Sequence, residues 1–237
     1  MQDPMKIDLY MQLNIEDYFD DNILNKSKYK RDLSLDRKLI GLEQMLWIKN
    51  NLNKKFKWSI IGQQVLMAQV YLPTIFANMN KKILPDYLHK YLKIGGAKVP
   101  YNTDAWDGYP KERERLFKEL NKANSVLVLT GDTHNSWLNN LYDENNNFIG
   151  VEIGAPAISS PNTIDTFGSL TDDIEEGFIK ENKNVKWTEG KHKGYTLLKL
   201  TKDKSEVSFV YVNTVKSKVY EVIDTNKFNV KPNTPII

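Results

Sequence analysis

A short polar segment follows an apolar run near the middle of the chain and carries two side chains that could bind a metal ion. Residues 125–130 are mostly aliphatic and β-branched, the pattern of a strand covered on both faces, and Gly131-Asp132-Thr133-His134 comes directly after them. If the chain stays extended, Asp132 and His134 point the same way, because strand side chains repeat every two residues. A carboxylate and an imidazole would then converge at the end of a central strand, where open α/β sheets usually bind ligands.

The same four residues also have a purely structural interpretation. Gly131 would permit a turn, Asp132 would cap it through a side-chain oxygen, and His134 would be an ordinary half-buried imidazole. Two ligands do not complete a metal site either, since tightly held metal ions usually take three or more protein groups. The tetrapeptide alone leaves both interpretations open.

The composition is that of a globular protein without a strong electrostatic bias. The 237 residues are 41% hydrophobic and 27% charged, with a formal net charge of +3. This charge is too small and too evenly spread to indicate nucleic acid as a specific partner, and the basic clusters at 26–31 and 191–193 are typical of solvated surface. The absence of cysteine excludes disulfides and thiolate metal ligands within the chain.

Nothing in the sequence assigns a cellular compartment. No apolar run approaches the roughly 18 residues that span a bilayer, and the first residues lack the apolar region of a signal peptide. Residues 1–5 read as a cloning remnant, in which case a natural leader would have been removed. The localisation therefore stays unknown at this point.

The elements before residue 131 predict an α/β crossover that would position this segment. Apolar residues at helical spacing, strand-like runs and a well-placed Pro110 predict a helix over 39–53, a strand over 58–61, a helix over 110–123 and the strand over 125–130. A further strand is predicted at 6–11, a long polar loop at 14–38 and short helices at 72–95. Strand, helix and strand in this order form a crossover with a long insertion.

The second half of the chain predicts strands of a different kind. Runs at 148–153, 194–200 and 206–212 read as strands, the last two joined in a hairpin, and 219–223 is a candidate for another. Antiparallel strands beside an α/β unit indicate a layered α/β sandwich with mixed sheets. We expect one domain over 1–237, with no assigned role for 216–237.

Several segments occur in an order that resembles one enzyme family. They read LIGLEQMLWIKNNL, KWSIIGQQVLMA, DAWDGYPKERERL, VLVLTGDTHNSW, VEIGAPAISSP, KHKGYTLLKLT and FVYVNTV. Over about 6–215 this series resembles the C-terminal half of a PhoD-like alkaline phosphatase, a branch of the calcineurin-like and purple-acid metallophosphoesterases. The resemblance implies a four-layer αββα sandwich and a metal-dependent phosphoester hydrolase, acting on monoesters or diesters through a water activated by two metal ions. Members of the family are mostly exported.

The resemblance also implies roles for particular residues. His134 would bind the metal ion of an iron-like site, and Asp132 would bind a second, harder cation such as calcium or another divalent ion. Imidazole suits the first kind of ion and carboxylate the second. Gln64, rather than Gln63, stands where related enzymes carry a histidine ligand. Gln64 would either bind the metal ion through its amide oxygen or form a hydrogen bond to a residue that binds it. His89 matches no family position and reads as surface.

Further residues near these segments have two interpretations each. Asn135 and Ser136 could donate hydrogen bonds to the phosphate of the substrate, or satisfy the local backbone as turn residues. His192 matches a family position, or is an exposed histidine before a strand. The segment from Trp106 to Tyr109 resembles a family signature and favours a structural corner near the site.

The ligand motifs of the family's N-terminal half are absent from this sequence. Gly131-Asp132 is its only Gly-Asp pair, so the Gly-Asp-x-x-Tyr motif is missing, and no Asp-x-His precedes it. The chain would then be a fragment, one part of a split enzyme, or a non-catalytic assembly or binding module. Half a sandwich exposes an apolar patch, so we expect self-association or a complementing chain.

Overall fold

A mixed sheet of five strands forms the centre of the fold. The computed structural model describes residues 12–21, 23–52 and 54–237, so the strand predicted at 6–11 lies outside the described residues. The described strands are β1 (Phe19–Asp20), β2 (Ile23–Leu24), β3 (Ser59–Gly62), β4 (Val126–Thr130), β5 (Ser136–Tyr142), β6 (Phe148–Gly154), β7 (Val185–Glu189), β8 (Lys193–Leu200), β9 (Ser205–Val212) and β10 (Val222–Val230). The central sheet has the order β3-β4-β6-β5-β7. Strands β3, β4 and β6 are parallel, whereas β5 runs antiparallel to β6 and β7.

Helices cover one face of this sheet. The α-helices are α1 (Lys26–Leu33), α2 (Gly41–Asn51), α3 (Ile75–Asn78), α4 (His89–Ile94), α5 (Pro110–Leu120), α6 (Thr163–Phe167) and α7 (Thr171–Glu181), with single turns of 3₁₀ helix at Ile15–Tyr18, Lys81–Ile83, Asp86–Leu88, Trp106–Gly108 and Gly168–Leu170. Leu116, Phe117 and Leu120 of α5 and Phe178 of α7 pack with Val128 of β4 in the larger core. No helix among the described residues is long and apolar enough to cross a membrane.

A second sheet covers the other face. Strands β8, β9 and β10 form an antiparallel sheet in the order β10-β9-β8. Alternate residues of β9, Val207, Phe209 and Tyr211, face Leu127 and Ile153 of the central sheet across a second core. The described residues thus stack as helices, mixed sheet and antiparallel sheet, which gives the layered α/β fold with mixed sheets that the sequence predicts.

The predicted elements that lead into the site are confirmed within a few residues. The helices predicted at 39–53 and 110–123 are α2 and α5, the strands at 58–61 and 125–130 are β3 and β4, and those of the later hairpin are β8 and β9. Pro110 occupies the first turn of α5, where its missing N–H costs nothing.

Two predictions are corrected. The polar loop expected at 14–38 contains α1, because the side chain of Asn25 accepts a hydrogen bond from Lys28 N (3.1 Å) and Tyr29 and Leu33 lie one turn apart on a buried face. The strand expected at 219–223 begins at Val222 and continues as β10 into the segment that had no assigned role. Its position is set by eight paired positions with β9, which local propensity does not reveal.

Candidate metal centre

The carboxyl ends of β3 and β4 bring together the two segments that the sequence singles out. The N–H of Gln63 donates to the carbonyl of Leu129 (3.0 Å), and the N–H of Gly131 donates to the carbonyl of Gln64 (2.9 Å). Because the two strands are parallel, these bonds continue the ladder one step past its last strand residues. Gln64 and Asp132 therefore lie on adjacent segments of the chain, just past the carboxyl ends of β3 and β4.

The chain does not stay extended past Thr130, which corrects the geometric premise for the pairing of Asp132 with His134. Both residues adopt left-handed backbone conformations, with φ of 68° and 64°, and the N–H of Thr133 donates to the carbonyl of Gly131 (2.8 Å). Aspartate and histidine are among the non-glycine residues most often found in this region, at a cost on the order of 1 kcal/mol each. Both side chains remain exposed after the turn.

His134 is held in one orientation by a main-chain carbonyl. Its Nδ1 lies 2.8 Å from the carbonyl oxygen of Pro161, and its own carbonyl accepts a hydrogen bond from Ala157 N (3.2 Å). A carbonyl oxygen only accepts, so Nδ1 carries the proton and Nε2 of the neutral ring keeps its lone pair. This is the arrangement in which metal-binding histidines are usually held.

The segments next to His134 also carry side-chain oxygen atoms that could bind a metal ion. Asp132 and Gln64 are exposed, and neither side chain has a hydrogen-bond or ion-pair partner among the described residues. The amide of Gln63 is already used, because its Oε1 accepts from Val65 N (3.1 Å) and from Trp106 Nε1 (3.1 Å) and its Nε2 donates to the carbonyl of Val65. The structure therefore favours Gln64 over Gln63 as an amide-oxygen ligand.

Asn135 and Ser136 have structural contacts in this fold. Asn135 Nδ2 donates to Thr163 Oγ1 (2.8 Å), and its Oδ1 accepts from Thr163 N (3.2 Å). Ser136 is fully buried, and its Oγ accepts from the hydroxyl of Tyr211 (2.9 Å). These are contacts with distant segments rather than with the local backbone, and Ser136 is the first residue of β5. Substrate binding by either residue stays a prediction.

The Trp106 to Tyr109 segment forms a buried corner that contacts the chain on both sides of Gln64. Trp106 bonds Gln63, as described, and Asp107 accepts from Val70 N (2.9 Å) while pairing with Arg113. Because both charges of this pair are buried, losing one would leave the other uncompensated. The segment therefore orders the chain after Gln64.

A buried glutamate that the sequence interpretation missed performs a similar task. Glu152 of β6 is fully buried, and its carboxyl accepts from Met67 N, from Ala68 N (3.1 Å) and from Asn139 Nδ2 (2.9 Å). Burial raises the pKa of Glu152 to about 7, although these hydrogen bonds act in the opposite direction. The residue ties the segment after Gln64 to the central sheet. Only its polarity within an apolar strand signals it in the sequence.

His192 lies beside a basic cavity next to the candidate centre. Its Nδ1 is 2.8 Å from Glu189 Oε1, and its carbonyl accepts from Asn162 Nδ2 (3.2 Å). It lines a cavity of about 500 Å³ together with Pro161, which holds His134, and with three lysines, Lys191, Lys193 and Lys216, against a single aspartate. His192 is only half exposed, and a substrate-binding role stays a prediction.

His89 makes structural contacts and is not one of the candidate metal ligands. Its Nε2 lies 3.1 Å from the carbonyl oxygens of both Lys81 and Leu84, and its ring is largely covered rather than on the open surface. The two carbonyls use the ring nitrogen that a ligand would need. His89 is thus a structural histidine.

The donor set fits part of a two-metal centre. A free imidazole nitrogen suits a borderline transition metal, whereas carboxylate and amide oxygens suit a harder cation. Within 12–21, 23–52 and 54–237, no group of three or more His, Cys, Asp or Glu side chains could hold a metal ion. The described residues therefore supply some of the ligands of such a centre and too few to complete it.

Comparisons with known proteins point to one family. A model of the PhoD-like phosphatase family matches residues 7–209. Alkaline phosphatase D of Bacillus subtilis (strain 168) is 30% identical over 199 residues, which cover 80% of this chain and 30% of that protein. A solved structure described as the structure of PhoD has a TM-score of 0.63 and 25% identity over 85% of this chain and 34% of its own. The chain thus spans about a third of these relatives, and the extent of the family match shows that it belongs to the PhoD-like phosphatases.

Proposed function

We propose that this chain contributes metal ligands to a phosphoester hydrolase. The observation that carries the proposal is the orientation of His134, whose Nδ1 is fixed on the Pro161 carbonyl while Nε2 remains free beside Asp132 and Gln64. The strained turn supports it, because residues in rarely populated backbone conformations cluster at functional sites. The alkaline phosphatase activity named for the relative is the corresponding reaction.

The three proposed ligands suit two different kinds of metal ion. His134 Nε2 would bind a transition metal such as iron, and the oxygens of Asp132 and Gln64 would bind calcium or another hard divalent cation. When bound, such a pair supplies Lewis-acid polarisation of the ester and acidifies a water nucleophile. The hydrogen bond to the Pro161 carbonyl fixes the ring of His134, and the bond from Gly131 N to the Gln64 carbonyl fixes the backbone that carries Gln64 and Asp132.

The basic cavity supplies a reason for a phosphate ester as substrate. Lys191, Lys193 and Lys216 line this cavity together with His192. Lys193 pairs with Asp165, Lys191 with Asp172 and Glu175, and His192 with Glu189, whereas Lys216 has no ion pair within the described part of the chain. The ammonium group of Lys216 is therefore available to attract a negatively charged phosphate group.

The remaining ligands would come from outside the described residues: from a further part of the same protein, from a complementing polypeptide or from a second copy of this chain. The described residues hold too few ligands for two ions, and apolar side chains are exposed around α2 and the β3 edge, including Leu42, Trp47, Phe56 and Ile60. An exposed apolar patch beside an incomplete site is what a completing polypeptide would cover. The same shortage of ligands favours a second candidate function, a non-catalytic assembly or binding module.

Metal content tests the proposal directly. We would measure iron and calcium by plasma mass spectrometry in the purified natural chain and in the Asp132→Ala and His134→Ala variants. Near-stoichiometric metal is the expected result when self-association or a completing polypeptide supplies the remaining ligands, and both variants should lose it, because a deleted ligand weakens an already small donor set. Hydrolysis of 4-nitrophenyl phosphate by the completed enzyme should fall in parallel.

A matched histidine provides the control. His89→Ala removes an imidazole whose ring nitrogen is used by two carbonyls, so metal content should not change. Metal retained at the natural level in His134→Ala would contradict the proposed ligand. Metal bound through Asp132 and His134 without ester hydrolysis by the completed assembly would favour the binding module.

A further inference from the structure

An apolar cavity of about 240 Å³ opens beside the proposed centre. Thr133 and Asn135, the residues that alternate with Asp132 and His134 along the turn, form part of its wall. Aromatic side chains form much of the remaining wall, including Phe76, Tyr101, Trp137, Phe167 and Phe178. The turn therefore offers two exposed metal donors and, through the intervening residues, one side of an apolar cavity.

The aromatic walls brace one another. The rings of Phe76 and Phe167 meet edge to face with centroids 5.5 Å apart, and those of Trp137 and Phe178 do the same at 5.2 Å. Trp137 is further fixed by a hydrogen bond from its Nε1 to Thr133 Oγ1 (2.8 Å). Such contacts favour a preformed cavity over one that collapses when empty.

One polar group in the wall has no partner. The hydroxyl of Tyr101 makes no hydrogen bond with any described residue, although its ring packs against Tyr91 and Phe178. Burial raises the pKa of this phenol, so the hydroxyl keeps its proton and can donate. A ligand in the cavity that carries an acceptor would satisfy it.

The cavity and the proposed ligand share one residue. Pro161 lines the cavity, and its carbonyl accepts the hydrogen bond that orients His134. This hydrogen bond ties His134 to the wall of the cavity. A phosphate ester held at His134 could place its organic part in the cavity while the phosphate stays with the polar residues.

We propose that this cavity binds the organic group of the phosphate ester, and that this group is an aromatic ring carrying a hydrogen-bond acceptor. The inference rests on the proposed function for its place beside the phosphate. A dry apolar cavity of about 150 Å³ holds a benzene-sized molecule, so this cavity has room for a substituted ring. Edge-to-face contacts with the surrounding rings favour an aromatic over a saturated group of the same size.

Direct binding of an organic alcohol without phosphate tests the cavity independently of hydrolysis. We would titrate the natural chain with methyl 4-hydroxybenzoate by calorimetry and repeat the titration with its saturated analogue, methyl 4-hydroxycyclohexanecarboxylate. The aromatic compound should bind at least about fivefold more tightly. Tyr101→Phe should weaken its binding about fivefold by removing one hydrogen bond, and Phe167→Ala about tenfold by removing a wall.

Matched variants separate the cavity from general effects. Tyr195→Phe and Phe56→Ala make the same chemical changes at exposed positions outside the cavity and should bind as the natural chain does. Thr166→Trp should fill the cavity and abolish binding. Circular dichroism would confirm that each variant is folded, and Tyr101→Phe deletes a single oxygen and should fold in any case.

Two outcomes would overturn the proposal. One is the absence of measurable binding to the natural chain, and the other is binding that Phe167→Ala, Thr166→Trp and Tyr101→Phe leave unchanged. Hydrolysis of the phosphate esters of these two alcohols by the completed assembly separates this proposal from the proposed function. If the aromatic alcohol binds and the variants weaken its binding, yet neither ester is hydrolysed, the proposed function fails and the cavity proposal stands. If the alcohol does not bind and both esters are hydrolysed with equal kcat/KM, the cavity proposal fails and the proposed function stands.

Discussion

Alternate residues of the turn after β4 have different tasks. Asp132 and His134 are exposed, and the carboxylate of Asp132 and Nε2 of His134 stay free, whereas Thr133 and Asn135 bond to Trp137 and Thr163. Strand alternation was expected to align the first two, and two left-handed residues produce the exposure instead. The fixed imidazole depends on a carbonyl 27 residues away in the sequence.

Replacing Asn135 should affect folding more than metal binding. Asn135→Ala removes both hydrogen bonds to Thr163 and leaves Thr163 N without its partner, so the free energy of unfolding should fall by about 1–2 kcal/mol in urea titrations. Asn145→Ala, at an exposed position, should change it by less than about 0.5 kcal/mol. Unchanged stability with lost ester hydrolysis would instead assign Asn135 to the substrate.

Glu152 should make stability depend on pH. Its pKa is about 7 in the folded chain and 4.5 in the reference state, so the folded state binds the proton more tightly. The stabilising contribution is complete below pH 4.5 and is lost as the pH rises through 7, by on the order of 3 kcal/mol at most. The protonated carboxyl of Glu152 would also have a hydrogen-bond acceptor nearby. Asn139 Oδ1 is buried without a partner, and rotation of the Asn139 amide would turn this oxygen toward Glu152.

Urea unfolding between pH 4 and 8 measures this contribution. Glu152→Gln removes the titrating group, so the decline in unfolding free energy over this range should become shallower than in the natural chain. The comparison uses the slope with pH, since the variant also changes the hydrogen bonds to Met67 and Ala68. Equal slopes in both proteins would rule out Glu152 as the source.

At the scale of elements, the site depends on the spacing between β4 and its neighbours. Gly150 of β6 pairs with Val126 of β4, and a Cβ at position 150 would lie 2.5 Å from the carbonyl oxygen of Val126. Any side chain there must push the two strands apart. β4 leads directly to Gly131 and Asp132, so its displacement would also move the turn.

Gly150→Ala should therefore destabilise the fold by about 1–3 kcal/mol, as overpacking does in a dense core. Gly62→Ala is the matched control, because a Cβ at position 62 of β3 meets nothing within 4 Å. Urea midpoints of the two variants would be compared with that of the natural chain. Similar midpoints for Gly150→Ala and Gly62→Ala would show that the strands separate without cost.

Across the whole molecule, one group of exposed apolar side chains lies around α2 and β3. Trp47 and Phe56 are 67% and 66% exposed, and Leu42 and Ile60 lie in the same region of the chain's fold. Large apolar patches usually mark interaction surfaces. β3 is also the first strand in the order of the central sheet, with no neighbour on its outer side among the described residues.

This surface should make the isolated chain self-associate. Sedimentation velocity should show a mean mass that rises with concentration, and Trp47→Lys should shift the distribution toward monomer by placing a charge in the patch. Tyr220→Lys, at a comparably exposed position away from α2, should leave the association unchanged. A concentration-independent monomer of the natural chain would contradict this prediction.

Much of the fold could be predicted from local pattern. Helices α2 and α5 and strands β3, β4, β8 and β9 have clear apolar periodicity, and the family resemblance supplied Asp132, His134 and Gln64 as candidates. Helix α1 was missed because one cap and two buried residues stabilise it within a polar segment. Strand β10 was misplaced because its register comes from β9 rather than from its own residues.

The amino-acid sequence alone was enough to indicate the family, the order of the crossover and the candidate metal-binding residue types, since these depend on composition and on neighbours along the chain. The tertiary structure alone decided which of those side chains is free. Pro161 orients His134, Trp106 uses up the amide of Gln63, and Thr163 uses that of Asn135. Each of these contacts joins residues at least 27 positions apart, and such distant hydrogen bonds leave no periodic signal in the sequence.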